Sequence, residues 1–165
     1  IGYYLNSGYG GFSSSDPQPI TAINTPQAVT FNTTDIHDSN ISLLGGNPDI
    51  YIDLVYASRI VVLFPAIYNF QFSLQVKSTT PATIWIWPRI NGIDVDNSAT
   101  KIDLTGSSKA EVAAWNWLLE TLNPGDYFEL MMAADSTHVS ILAETATAFC
   151  PAIPSAILTV SNVSA

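Results

Sequence analysis

The stretch from Ile67 to Lys77 shows the clearest alternation of apolar and polar positions in the chain. The apolar positions, each followed by a polar residue, are Tyr68, Phe70, Phe72, Leu74 and Val76. A period of two places all of them on one face of a β-strand, whereas a helix would scatter them around its circumference. The pattern therefore predicts a central strand with one face in a core and one polar face.

Shorter apolar runs, separated by Pro, Gly and Asn, predict further strands. These are Tyr9–Ser13, Gln27–Asn32, Ile41–Leu44, Arg59–Phe64, Thr83–Arg89, Ile93–Asp96, Tyr127–Ala134, Val139–Ala143 and Ala156–Val163. Asn91-Gly92 is a strong hairpin signal, and Arg59–Phe64 has the continuous apolar character of a strand buried on both faces. About ten short strands with such turns predict an antiparallel β-sandwich.

The chain is expected to form a single domain over residues 1–165, because its length suits one core and no linker divides it. Residues 1–27 are rich in Gly, Ser and Pro. We expect this N-terminal segment to be mostly loop, with an edge strand at Tyr9–Ser13. Asn32 to Asn40 is polar and predicts turns.

The segment Ser107–Leu122 fits two structures. Ser108 followed by Glu111 forms a helix capping box, and Asn123-Pro124-Gly125 would end a helix. The same segment also alternates in the manner of a strand, with Trp115 and Trp117 on one face. Local pattern alone leaves both open.

Composition narrows the classes of function. The net charge is −9, and only 12% of the residues are charged. Nucleic-acid binding through a basic surface is excluded by this balance, and adhesion to anionic membranes is disfavoured. No apolar run is long enough to span a membrane. The low charge implies a surface of Ser, Thr, Asn and Gln, as on extracellular or particle surfaces.

No catalytic signature is present. His37 and His138 are expected on the surface, far from any nucleophile elbow. The single cysteine, Cys150, predicts a buried thiol and no internal disulfide. The acids Glu111, Glu120, Glu129 and Glu144 fall on different predicted strands, so no catalytic acid pair is indicated. We therefore expect no enzymatic activity.

No cofactor and no metal-ligating residues are predicted, and an oxygen-ligated cation at Asp94–Asn97 stays an open alternative. Asp94-Val95-Asp96-Asn97 resembles the start of a calcium loop but lacks the Gly and Glu that such a loop uses at its sixth and twelfth positions. Asp35, Asp38, Asp49 and Asp53 are expected to be solvated loop charges. Sequence patterns for Asn glycosylation at Asn32, Asn40 and Asn162 are expected by chance in such a chain.

Three stretches stand out as motifs, at Arg59–Phe72, Leu122–Asp126 and Ala156–Val160. They resemble motifs of the complement globular-head and tumour-necrosis-factor-like jelly rolls. Arg59–Phe72 resembles an apolar strand followed by the family's Pro-x-Gly-x-Tyr-x-Phe-x-Phe motif, with Ala66 in place of the Gly. Leu122-Asn-Pro-Gly-Asp126 resembles its Leu-x-x-Gly-Asp turn, and Ala156–Val160 its closing strand. The resemblance implies an all-β, two-sheet antiparallel jelly roll of about ten strands, and it favours a strand over Ser107–Leu122.

The resemblance also implies a homotrimer whose axis is lined by aromatic and aliphatic residues of one sheet. The candidates for this interface, or alternatively for the core, are Tyr68, Phe70, Phe72, Trp85, Trp87, Trp115, Trp117, Tyr127 and Phe128. The alternative, in which all four tryptophans fill the sandwich core, remains open.

Stretches rich in Asn, Gly, Thr, Ser or Pro occur at Asn24–Asp35, Asn91-Gly92, Asn97–Thr100 and Pro151–Ser155. They are similar to stretches in trimeric jelly-roll domains of phage and other virus structural proteins. This similarity implies a virion surface protein that decorates or cements a capsid or forms a fibre head. Its partners would be itself, a major capsid protein or a fibre shaft. The alternative is a trimeric module that binds a host glycan or protein, with Tyr3, Tyr4 and Tyr9 as candidate contacts.

Overall fold

The computed structural model describes residues 8–38 and 48–164. The predicted strand Ile41–Leu44 and the candidates Tyr3 and Tyr4 lie outside these ranges. The described residues contain strands and no helix, and so none that could cross a membrane. The longer strands are β1 (Tyr9–Ser14), β4 (Thr33–His37), β7 (Ile67–Ser78), β8 (Ala82–Ile90), β10 (Thr100–Leu104), β11 (Glu111–Glu120), β12 (Tyr127–Ala134) and β14 (Ala156–Asn162). The shorter ones are β2 (Gln18–Pro19), β3 (Gln27–Ala28), β5 (Ile50–Ile52), β6 (Ile60–Val62), β9 (Ile93–Asp94) and β13 (Val139–Ile141).

The strands form two antiparallel sheets. The first sheet runs β4, β1, β14, β7, β11, with β13 beside the end of β7 and β2 beside β13. The second sheet runs β10, β8, β12, β6, β5, with β9 beside β8 and β3 beside β12. The prediction of a two-sheet jelly-roll sandwich is confirmed.

Strand β7 is the centre of the first sheet, as its alternation predicts. It pairs with β11 along one edge and with β14 and then β13 along the other. All of its apolar residues from Tyr68 to Val76 are buried, while the residues between them are half-buried or exposed on the other face. The buried set forms one hydrophobic cluster between the sheets with Ile84 and Ile86 of β8 and Phe128 of β12.

The ambiguous segment forms strand β11 over Glu111–Glu120 and not a helix. Ser108 does not cap a helix but takes a left-handed conformation, with φ of 57°, in the turn before the strand. Pairing with β7 over the whole of β11 decides the outcome. Ten backbone pairs and the burial of Ala113 and Leu119 outweigh a local helix preference that is worth tenths of a kcal/mol per residue.

Two predictions for the N-terminal part are wrong. Strand β1 is not an edge strand, because it lies between β14 and β4. Residues Thr33–His37, predicted as turns, form β4 at the edge of the first sheet. Every residue of β4 is exposed, so no apolar face marks the strand in the sequence.

Two predicted turns come together at one end of the sandwich. Asn91 and Gly92 both have positive φ and form the two-residue hairpin between β8 and β9, as predicted. The side chain of Asn91 donates to the Asp126 carboxylate at 2.9 Å and accepts from the backbone NH of Tyr127 at 3.0 Å. Asp126 also accepts from the backbone NH groups of Leu122 and Asn123 at 2.9 Å each. The Leu-x-x-Gly-Asp turn and the Asn-Gly hairpin thus hold each other.

Candidate assembly surface and aromatic groove

The four tryptophans lie in two different sheets. Trp85 and Trp87 are on β8 in the second sheet, with their side chains on its outer face and half-buried. Trp115 and Trp117 are on β11, at the edge of the first sheet. The four therefore do not share one sheet, and the alternative that all of them fill the core is wrong because Trp115 is exposed.

Trp117 is partly buried and packs against the core at the β11 edge of the sandwich. Its ring stacks on Phe72, with 5.2 Å between ring centroids, and lies 6.1 Å from Phe70. Its indole NH donates to the Ser98 carbonyl at 2.8 Å. Trp115 lies opposite Phe72 in the β-ladder but remains 57% exposed.

The remaining aromatic candidates divide between the core and the second sheet. Tyr68, Phe70, Phe72 and Phe128 are fully or almost fully buried within the subunit, so they are core residues. Tyr127 lies on the outer face of the second sheet, where the Arg59 guanidinium lies over its ring at 4.5 Å. A ring so covered offers little free area to a partner.

Strand β11 presents an open edge. Among the described residues, its one partner strand is β7, which leaves the backbone groups of the opposite edge without a strand partner. Between Glu111 and Glu120 the strand carries no charge, proline or glycine. Three of its apolar side chains are exposed: Val112, Trp115 and Leu118.

The outer face of the first sheet continues from this edge. Register places the alternate residues of β11, β7, β14 and β1 on this face. Lys77 and Glu120 lie at the two ends of this face, and no charged residue lies on the face between them. We call these residues the uncharged face: Tyr9, Gly11, Ser13, Ile67, Asn69, Gln71, Ser73, Gln75, Val112, Ala114, Asn116, Leu118, Ile157, Thr159 and Ser161.

The apolar residues of the uncharged face are spread among amides and hydroxyls. Tyr9, Ile67, Val112, Leu118 and Ile157 are exposed. The amide of Asn116 donates to the Asn69 side chain at 3.1 Å, so part of the polar surface is already paired within the sheet. Tyr9, a predicted ligand contact, thus belongs to a broad sheet face and not to a cleft.

Both histidines are exposed, as expected, but two aspartates and the cysteine differ from their expected places. Asp38 and Asp49 are buried, not solvated. His37 ends strand β4, where its ring Nδ1 lies 2.6 Å from the Asp38 carbonyl oxygen. Cys150 is half-buried and not fully buried, because it lies in an exposed turn closed by Thr147. Within residues 8–38 and 48–164, no three His, Cys, Asp or Glu side chains are grouped to hold a metal.

A groove of about 500 Å³ lies beside the loop between β9 and β10. It is lined by Trp87, Asp94, Val95, Asp96, Asn97, Ser98 and Ala99. Asp94 accepts hydrogen bonds from the Trp87 indole NH at 2.6 Å and from the Arg89 guanidinium at 2.5 Å. The bond from Arg89 and then that from Trp87 lower the pKa of Asp94. The sequence pointed to Asp94–Asn97 only as an incomplete calcium loop, and nothing in it showed that Trp87 lies alongside.

Comparison with solved structures confirms the fold. The globular domain of zebrafish complement 1qA protein superposes with a TM-score of 0.56 at 12% identity, covering 96% of this chain and 98% of that chain. Murine APRIL at pH 8.0 gives a TM-score of 0.57 at 7% identity, covering 96% of this chain and 100% of that chain. No family model matches the sequence, and comparison with curated proteins gives no match.

Proposed function

The chain has the tumour-necrosis-factor-like jelly-roll fold of these structures, and we propose that it is a non-enzymatic, self-associating module on the surface of a virus particle. In this proposal it forms a homotrimer that decorates or cements a capsid or forms the head of a fibre. The observation that carries the self-association is the open, uncharged edge of β11 beside the uncharged face.

An edge strand of this kind requires a cover. Natural proteins protect sheet edges with charges, prolines, bulges or a covering segment, since an open, flat, apolar edge pairs with other chains. The interior of β11 carries none of the first three, and its Trp115 and Leu118 side chains are 57% and 66% exposed. A second copy of the chain could cover this edge without the need for any other protein.

The proposed trimer requires contact between two different surfaces of the subunit. The edge of β11 and the broad face across β7, β14 and β1 are different surfaces of one subunit. In the proposed contact an edge of one copy meets a face of the next. Such a contact is heterologous, and it closes into a ring when the rotation between copies allows it and otherwise continues as a filament. The jelly-roll resemblance implies that the ring has three members.

The surface composition supports a place on a particle. Only 12% of the residues are charged, so hydroxyl and amide groups make up most of the polar exterior, and the net charge of −9 limits non-specific association. A packing role also needs no catalytic cleft. The capsid or fibre partner would contact a surface that the trimer leaves free.

Light scattering on the purified chain tests the self-association. We expect a mass near three times 17.8 kDa for the natural chain. Leu118→Lys places a charge on the uncharged face beside the open edge and should give monomers, because a buried unpaired charge costs several kcal/mol. Leu54→Lys is the matched control, since Leu54 is 93% exposed in a loop away from β11.

A monomeric natural chain, or a Leu118→Lys variant with unchanged mass, would contradict the proposed interface. Thermal unfolding of both variants checks that they are folded. The particle role needs a separate test, in which antibodies against the chain probe density-gradient fractions from its source. Co-sedimentation with nucleic-acid-containing particles supports it, and recovery only as free protein contradicts it.

A further inference from the structure

The groove lined by Trp87 and by residues 94–99, which we call the Trp87 groove, lies outside the surfaces proposed for self-association. It lies on the loop between β9 and β10 and on the outer face of the second sheet, not on the uncharged face. Every lining residue belongs to one subunit. The groove is therefore complete in a monomer, and ligand binding in it does not require the proposed trimer.

Hydrogen bonds hold the wall of the groove in place. The Ser98 hydroxyl donates to the Val95 carbonyl at 2.6 Å, and the Ser98 carbonyl accepts from the Trp117 indole at 2.8 Å. The backbone NH of Val95 donates to the Pro88 carbonyl at 3.2 Å. Ser98 itself is buried. The loop is thus tied to both sheets, and a ligand bound there would not have to order it.

The Trp87 ring is held as well. Its NH donates to Asp94, whose carboxylate is in turn paired with Arg89. Since the NH has a partner, the ring offers the groove its apolar carbon surface and no free donor. Asp96 and Asn97 are exposed beside it and make no hydrogen bond to another described residue, so a carboxylate and an amide are available.

These groups match one class of ligand. A pyranose ring has a face of C–H groups that packs on an aromatic ring and a rim of hydroxyls that donate to carboxylate and amide oxygens. An anionic sugar is opposed by Asp96 and by the net charge of −9. We propose that the Trp87 groove binds an uncharged hexopyranose unit of a surface glycan, with Trp87 as the platform and Asp96 and Asn97 as hydroxyl acceptors.

A groove this open binds one sugar weakly. Three copies on one trimer would engage a glycan-coated surface together, and linked sites raise the apparent affinity by roughly 10² or more. A particle-surface module would thereby gain attachment to a host surface without a deep pocket.

An array of neutral and acidic glycans, probed with the full chain, tests the proposal, and titration calorimetry with the best neutral oligosaccharide follows. We expect Trp87→Ala and Asp96→Ala to weaken binding by about tenfold or more, as for central contact residues. Trp87→Phe should retain part of the affinity because it keeps a ring. Trp85→Ala is the matched control, because Trp85 lies two residues away on the same face but does not line the groove.

Three results with glycans would overturn the assignment, and one with peptides would do so as well. These are the absence of any neutral glycan that binds, binding that survives Trp87→Ala and Asp96→Ala, and binding that requires calcium and is lost with a chelator. Binding of cationic peptides alone, weakened by salt, would also overturn it. Light scattering of the same samples shows whether the trimer is intact, so failure of the groove and failure of the self-association are separated.

Discussion

Tyr68 combines a core position with a polar group. The residue is 1% exposed, and its hydroxyl donates to the Phe64 carbonyl at 2.7 Å. Its ring packs edge-on against Phe128. Burial, followed by the charges of Asp49 and Asp38, raises the pKa of the Tyr68 phenol from 10.0 to about 12.

We predict that Tyr68 makes the fold sensitive to alkali. Below pH 10 both the folded and unfolded states keep the phenol proton. Between pH 10 and 12 the unfolded chain releases it while the folded protein retains it, so stability falls as pH rises. The loss should approach about 3 kcal/mol by pH 12. Denaturant unfolding across this range measures it.

The matched variant is Tyr68→Phe, which keeps the ring and removes the hydroxyl. It should cost about 1 kcal/mol at neutral pH through the lost hydrogen bond. Its free energy of unfolding should then fall less steeply between pH 10 and 12 than that of the natural chain. An equal fall in both proteins would assign the alkaline sensitivity to other groups.

Asp126 gives the opposite dependence on pH. Burial raises its pKa, but the hydrogen bonds from Asn91, Asn123 and Leu122 together outweigh burial and lower it. Its contribution to stability is therefore present above the unfolded pKa of 3.8 and is lost as pH falls through the lower folded pKa. Asp126→Ala should destabilise the fold by about 1–3 kcal/mol at neutral pH.

Denaturant unfolding at neutral and acid pH checks this prediction. The difference between Asp126→Ala and the natural chain should shrink at low pH. Asp35→Ala, at an exposed position of β4, is the control and should change stability by less than about 0.5 kcal/mol. If both substitutions change the free energy of unfolding equally, the hydrogen bonds of Asp126 do not stabilise the fold as predicted.

At the scale of the element, two turns show why glycine is required for different reasons. Gly125 and Gly106 both have positive φ, at 88° and 77°. A Cβ on Gly125 would meet no atom within 4 Å, whereas one on Gly106 would lie 2.3 Å from the backbone of Thr80 and Pro81. Backbone strain acts at both turns, but a steric clash acts only at Gly106.

We therefore predict that Gly125→Ala costs about 1 kcal/mol, from the left-handed backbone alone. Gly106→Ala should cost about 1–3 kcal/mol more, because the backbone of the neighbouring turn must move. Chemical denaturation of the two variants measures the difference. Equal losses of stability in the two variants would show that the Thr80–Pro81 backbone can shift without a measurable change in free energy.

Strand β11 shows where local sequence stops being decisive. Its residues fit a helix and a strand equally well, and the ten-residue pairing with β7 selects the strand. Strand β4 shows the reverse case. All of its residues are exposed, so buried and exposed positions do not alternate along it. Backbone pairing with β1 makes this segment a strand.

At the scale of the whole molecule, the proposed interface contains no charged group. Its association should therefore not weaken in salt, in contrast to one held by ion pairs. Screening of the net charge of −9 should if anything strengthen it. Sedimentation at about 0.01 M and about 1 M salt measures the effect. A trimer that dissociates at the higher salt would contradict an uncharged contact.

The fold class, the central strand and the two turns that hold one end of the sandwich can all be predicted from the amino-acid sequence. The alternation of apolar and polar residues and the Asn-Gly and Pro-Gly-Asp turn residues are local signals that span a few positions. They can therefore be recognised in the sequence. The face that each tryptophan takes is set by tertiary structure alone. Trp115 and Trp117 alternate like Trp85 and Trp87, yet one pair borders the core at an open edge and the other lies outside the second sheet. Strand order sets that difference, and strand order depends on contacts between residues far apart in the sequence.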